Sequence, residues 1–252
     1  MEDALFWGAA VSAAVLVGMG KGGMPVVGML GVPVLSLAIS PVTAAGLLLP
    51  VYVLSDMFGL YAYRAAFDRR VLAIMAVGVT VGVGLGWATA RITPEWLVTA
   101  LVGVIGALFA LRMLAGRAAE GVQRHAEVVP GVFWGTVTGF TSFVSHSGAP
   151  PFQIYVLPLR LPKMVYAGTN TILFAYLNAI KLVPYWALGQ FSPQNLKVAA
   201  VLMPAAAVAV FAGVRLVRML PEVLFFRLVT WALLLVSLKL MADGIWAGVH
   251  RP

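Results

Sequence analysis

Between Val128 and Leu159 the chain runs for 32 residues without a lysine, arginine, aspartate or glutamate. Val71–Ala90 is a second such run, of 20 residues. Crossing the ~30 Å hydrocarbon core of a bilayer takes about 20 apolar residues at 1.5 Å each. A soluble domain needs a charged shell and carries roughly 25% charged residues. This chain has 10%, against 62% hydrophobic residues. It reads as an all-α, polytopic membrane protein, because a helix satisfies its own backbone hydrogen bonds in lipid.

Apolar runs between breakers give ten segments: 4–17, 26–39, 42–63, 71–90, 95–114, 129–144, 152–160, 164–188, 196–214 and 223–241. Segments 4–17, 26–39, 129–144 and 152–160 are too short to cross upright. They form two broken or re-entrant pairs, joined by "GMGKGGMP" (18–25) and "SHSGAPPF" (145–152). The pairs occupy corresponding places in two related halves. "FWGAAV" recurs as "FWGTVT", and "TPEWLV" as "LPEVLF", both 127 residues on. In the middle the offset is 122, which sets Asp56 opposite Asn178. The expected organisation is a first repeat over 1–114, a polar linker over 115–128 and a second repeat over 129–252.

Basic residues set orientation. Ten fall on one face (Arg64, Arg69, Arg70, Arg112, Arg117, Arg124, Arg160, Lys163, Arg215 and Arg218) and three on the other (Arg91, Lys197 and Arg251). The richer face is expected to be cytoplasmic, with both termini outside. The N-terminal "MEDALFWG" is acidic where a signal peptide is basic. Two consecutive repeats with an odd number of crossings each must be inverted relative to one another, the arrangement used for alternating access.

"GMGKGGMP" satisfies G-x-G-x-x-G, but its context is wrong for a dinucleotide site. No alternating strand precedes it, and the first acid after it is Asp56. No Ser or Thr follows Lys21, so it is not a Walker loop either. Interrupted helices in corresponding places of two repeats point instead to a transport site. Pro25, Pro150 and Pro151 suit the first turn of a half-helix. Two such positive helix ends with a buried cation would suit an anion. The competing reading makes the glycines close-packing points and Lys21 a snorkelling side chain.

The candidate substrate residues are therefore Gly20, Lys21, Gly22 and Gly23 in the first break, and Ser145, His146, Ser147 and Gly148 in the second. Asn178 and Lys181, three residues apart on one helix face, join them. Thr169, Asn170 and Thr171 are weaker candidates. Asp56 and His146 are the proton-coupling candidates, the first because an intramembrane acid is costly and the second because imidazole titrates near neutral pH. Structural pairing of Asp56 with Lys21 or Lys181 competes with that role. Cysteine is absent and the three histidines lie at no ligand spacing, so no cofactor, metal or enzyme activity is expected. The net charge of +8 is spread singly along span ends, which argues against nucleic acid. The expected partners are a small anion and the lipid bilayer, with a homo-oligomer left open.

The glycine-rich first break, the second half with its own break, "TPEWL" before the last span of the repeat and the ~250-residue length together resemble the TauE/SafE sulfite-exporter family. The resemblance covers essentially the whole chain. It implies transport of a small sulfur-containing anion, such as sulfite or an organosulfonate like sulfoacetate, across the bacterial inner membrane. Members often have a plainly glycine-rich second break, whereas "SHSGAPP" has one glycine and two serines. That departure makes Ser145, His146 and Ser147 candidates for selectivity. The leading expectation is a proton-coupled exporter. An uncoupled channel or uniporter, or an importer of a related anion, is the alternative.

Overall fold

The computed structural model describes residues 2–90, 92–115, 125–187 and 193–249. Arg91, Arg117, Arg124, Arg251 and residues 116–124 of the linker lie outside the described residues, with the expectations placed on them. The described chain is all-helical. Its helices are α1 (Glu2–Lys21), α2 (Pro25–Met29), α3 (Gly31–Leu35), α4 (Pro41–Tyr63), α5 (Arg69–Ala88) and α6 (Glu95–Leu114) in the first sequence half. The second half contributes α7 (Val128–Ser145), α8 (Ala149–Val156), a 3-10 turn (Leu157–Leu159), α9 (Lys163–Ala187), α10 (Pro193–Met219) and α11 (Glu222–Val249). Among the described residues, seven helices are long and apolar enough to cross a membrane: α1, α4, α5, α6, α7, α10 and α11.

Local chemistry explains several starts. The Asp68 carboxylate accepts the Val71 N–H at the head of α5, and the Ser40 hydroxyl accepts the Thr43 N–H at the head of α4. The recurring "PE" pairs both open a helix, α6 at Glu95 and α11 at Glu222, with an acid in the first turn where the helix dipole favours it. Two expectations need correction. α1 and α7 run for 20 and 18 residues, long enough to cross: α1 begins two residues earlier and continues to Lys21 through the first half of its break, and α7 gains one residue at each end. The short pieces are α2 with α3, and α8 with its 3-10 turn.

The chain forms two compact units, each drawing on both sequence halves. The first holds 1–67 and 167–220, the second 68–166 and 221–252. In the first unit α10 packs against α1 and α4. Ala10, Ala13, Ala14 and Val17 form one face of α1, and they bury against Leu47, Leu48 and Val51 of α4 and Ala199, Leu202 and Ala206 of α10. This small-residue face lets helices approach in a medium with no hydrophobic drive to associate.

The second unit rests on α5 packed on α7 and α6 packed on α11. Gly78 of α5 meets Gly135 of α7 backbone to backbone, while Gly82 packs on the backbone of Thr136 and Gly139 on that of Val79. A Cβ on Gly135 would lie 2.7 Å from the Met75 carbonyl oxygen, and one on Gly82 would collide with that of Thr136. Large apolar side chains point outward in both units, including Leu101, Ile105 and Leu108 on α6, Leu228 and Leu235 on α11, and Val201 and Val208 on α10. Polar side chains are buried beneath them. That inverted distribution is what a lipid solvent selects.

Candidate functional site

The three charged side chains buried among the described residues all lie in the first unit: Lys21, Asp56 and Lys181. Lys21 ends α1, where a cation sits well against the helix dipole. Asp56 lies deep within α4, and its Oδ1 is 2.6 Å from Lys21 Nζ. The two side chains form a buried ion pair. The other carboxylate oxygen, Oδ2, accepts a hydrogen bond from Asn178 Nδ2 at 2.8 Å. The Lys21 ammonium also lies 5.3 Å from the centroid of the Tyr52 ring, within cation–π range.

Helix spacing brings these groups together. Tyr52, Ser55, Asp56, Gly59 and Tyr63 recur every three or four residues along one face of α4. Asn178, Lys181 and Tyr185 do the same on α9, with Thr171 two turns before Asn178. The Thr171 hydroxyl donates to the Lys21 carbonyl at 3.1 Å, and the Tyr63 hydroxyl donates to the Gly22 carbonyl at 2.6 Å. Tyr52 donates to the Gly28 carbonyl at 2.9 Å. α4 and α9 thus hold the backbone at the end of α1 and α4 also holds α2, which anchors the segment that carries Lys21. Lys181, one turn beyond Asn178, is buried within electrostatic reach of Lys21. Two cations and one carboxylate leave this buried cluster with a formal surplus of positive charge.

The glycines of the first break make room for protein. A Cβ on Gly20 would stand 2.5 Å from Gly28 Cα, and one on Gly22 would stand 2.6 Å from the Val210 carbonyl oxygen. The backbone N–H groups expected to face a ligand are used internally. Gly22 donates to Gly18, Gly23 to Gly20 and Met24 to Met19. α2 does begin with Pro25 in its first turn, but it ends after five residues, too short for a half-helix dipole. Side chains, rather than a glycine nest, therefore define this site.

Gly23 alone needs its missing side chain for backbone reasons, with φ at +106°. A Cβ there would also press on the Tyr63 hydroxyl and on Ala167. Gly23→Ala is expected to cost about 2–3 kcal/mol through strain and overpacking, read as a lower Tm in detergent.

The second-break candidates lie in the second unit. His146 caps α7 in the left-handed conformation, φ 53°, a place more often given to glycine. The hydroxyls of Ser145 and Ser147 donate to the carbonyls of Thr141 and Ser145, at 3.1 and 2.9 Å. Gly148 is pressed against α7, where a Cβ would lie 2.7 Å from that of Ser142. Tyr52 and Tyr63 were missed in the sequence, although both fall at helical spacing from Asp56. Among the described residues no group of three His, Asp or Glu side chains gathers to hold a metal.

The chain is thus a multi-pass helical membrane protein with a buried, positively biased polar cluster in its first unit. The family model for the sulfite exporter TauE/SafE matches residues 5–240, nearly the full chain, and the protein belongs to that family. No curated protein and no solved structure matches it.

Proposed function

We propose that this protein is a secondary transporter that exports a small sulfur-containing anion, sulfite or an organosulfonate such as sulfoacetate, across the bacterial inner membrane. Coupling is to protons, by alternating access. The observation that carries the reading is the Lys21–Asp56–Asn178 cluster. Asp56 occupies the position on Lys21 that an oxyanion would take. When Asp56 is protonated its hold on the ammonium weakens, and a substrate anion replaces it; Asn178 and Tyr52 keep both side chains in place. Lys181 adds positive potential, which low dielectric amplifies. Protonation of Asp56 and anion binding at Lys21 are thereby linked.

Two features support the inverted repeat behind alternating access. Asp56 and Asn178 are repeat-equivalent, and such residues touch where a pseudo-two-fold axis passes between them. α1 packs on α10 in one unit as its repeat-equivalent α7 packs on α5 in the other. On the ten-to-three basic count both termini are extracytoplasmic. Gly20, Gly22 and Gly23 shape the first break, while Ser145, His146, Ser147 and Gly148 contribute selectivity, with His146 a second proton carrier.

The test is flux of sulfite, sulfoacetate, taurine and sulfate in proteoliposomes, with and without an imposed pH gradient. Gradient-accelerated movement of a sulfur oxyanion is the expected result. Asp56→Asn, which mimics the protonated acid, is expected to transport without that acceleration. Wild-type flux indifferent to the gradient would favour an uncoupled channel or uniporter, and uptake driven by the gradient would favour an importer.

A further inference from the structure

Four side-chain polar atoms of the second unit are buried with no hydrogen-bond partner among the described residues, on elements that meet around the start of α8. They are Thr138 Oγ1, Ser237 Oγ and both amide atoms of Gln153. All three residues have 0% exposure. α7 carries hydroxyls at Thr138, Thr141, Ser142 and Ser145, one helical face, and that face meets the break. A Cβ on Gly148 would lie 3.0 Å from the Thr138 carbonyl oxygen. From the other side, a Cβ on Gly106 would touch Ser237 Oγ and lie 3.2 Å from Pro150 Cβ, which places the Ser237 hydroxyl at the first turn of α8. Gln153 is one turn in from Ala149, and helical side chains lean toward the N-terminus, so its amide leans toward the same point.

The helix end itself offers few donors. Pro150 and Pro151 have no N–H, and the Phe152 N–H donates to the Gly148 carbonyl. An anion drawn to this positive helix end must take its hydrogen bonds from side chains. Buried amides are almost always paired, and one with both ends unpaired needs an explanation. We infer that Gln153, with Thr138 and Ser237, forms a charge-neutral subsite at the start of α8 that receives the oxygen atoms of the transported oxyanion, with Gln153 as its specificity-determining residue. This rests on the anion-transport reading, and extends it to residues outside the lysine cluster.

An amide serving only the fold, and one serving a ligand, respond differently to an apolar replacement. With no protein partner to lose, Gln153→Leu keeps the Tm or raises it. Losing a donor to a charged ligand raises the KM of anion flux by at least ~10-fold. The experiment measures KM, maximal rate and Tm for sulfite and sulfoacetate in the reconstituted full chain, comparing wild type, Gln153→Leu and the near-isosteric Thr138→Val. Raised KM in both variants with unchanged or raised Tm is the expected outcome. Gln153→Leu and Thr138→Val both transporting with wild-type KM, whatever their Tm, overturns the subsite alone and leaves an amide satisfied by water or by the fold. If Gln153→Leu does not fold, Thr138→Val decides between these two outcomes. A wild type that moves neither anion overturns the transport reading, and the subsite with it.

Discussion

Lys21→Met abolishes anion transport, reducing flux by about 100-fold or more, since the charge-assisted contact it supplies has no substitute at the end of α1. The same change lowers stability. It strands the Asp56 carboxylate, which is 3% exposed, beside Asn178 alone. Breaking a buried ion pair by removing one partner costs about 3–5 kcal/mol, unless the remaining group takes up a proton. Loss of flux by itself would therefore be ambiguous. The double variant Lys21→Met, Asp56→Leu removes the ambiguity, because apolar residues in place of both charges are often neutral or stabilising. Its Tm returns to near the wild-type value while its flux stays absent. A double variant that regains flux would show that the pair serves only the fold. Tm by thermal unfolding in detergent and flux in proteoliposomes read the two quantities separately.

The second large effect lies away from that cluster. Gly82→Val is expected to prevent stable assembly of the second unit, at a cost of about 3 kcal/mol or more. The Cβ would occupy space held by the Thr136 carbonyl oxygen, and a backbone atom cannot rotate away as a side chain can. α5 and α7 would have to separate along a seam where Gly78, Gly135 and Gly139 are equally closely packed. Gly84, two residues on, has nothing within 4 Å of a Cβ and is exposed, so Gly84→Val leaves the protein monodisperse. Size-exclusion profiles and Tm of the two variants make the comparison within one helix.

Much of this fold was legible because lipid constrains sequence so simply. Segment 95–114 coincides with α6, and 42–63 and 71–90 fall within two residues of α4 and α5 at each end. The breaks were legible as places but not as shapes. Glycine marks both a chain reversal and a close approach of backbones, and only the structure distinguishes Gly23, which turns, from Gly20 and Gly22, which pack. The seam of α5 and α7 was written as glycines four apart, a spacing that signals helix association in membranes. Its partner could not be read, since nothing in one sequence says which stripe meets which.

The pairing of Asp56 with Asn178 was legible as repeat equivalence, although not as a contact. Lys21 was foreseen as a buried cation, and Asp56 was foreseen among its partners. Tyr52 was not, because an aromatic residue at a span is ordinarily lipid-facing or interfacial. Gln153 escaped notice for a similar reason. An amide in a short apolar helix is unremarkable until its surroundings are known to leave it unpaired.

The most direct test of a carrier, as opposed to a pore, is counterflow. Proteoliposomes preloaded with unlabelled sulfoacetate or sulfite are diluted into a trace of the same labelled anion. A protein that alternates access around a single site accumulates label transiently above its external concentration, and Lys21→Met does not. Label that enters at the same rate whether or not the vesicles are preloaded, and never exceeds the external level, would contradict alternating access.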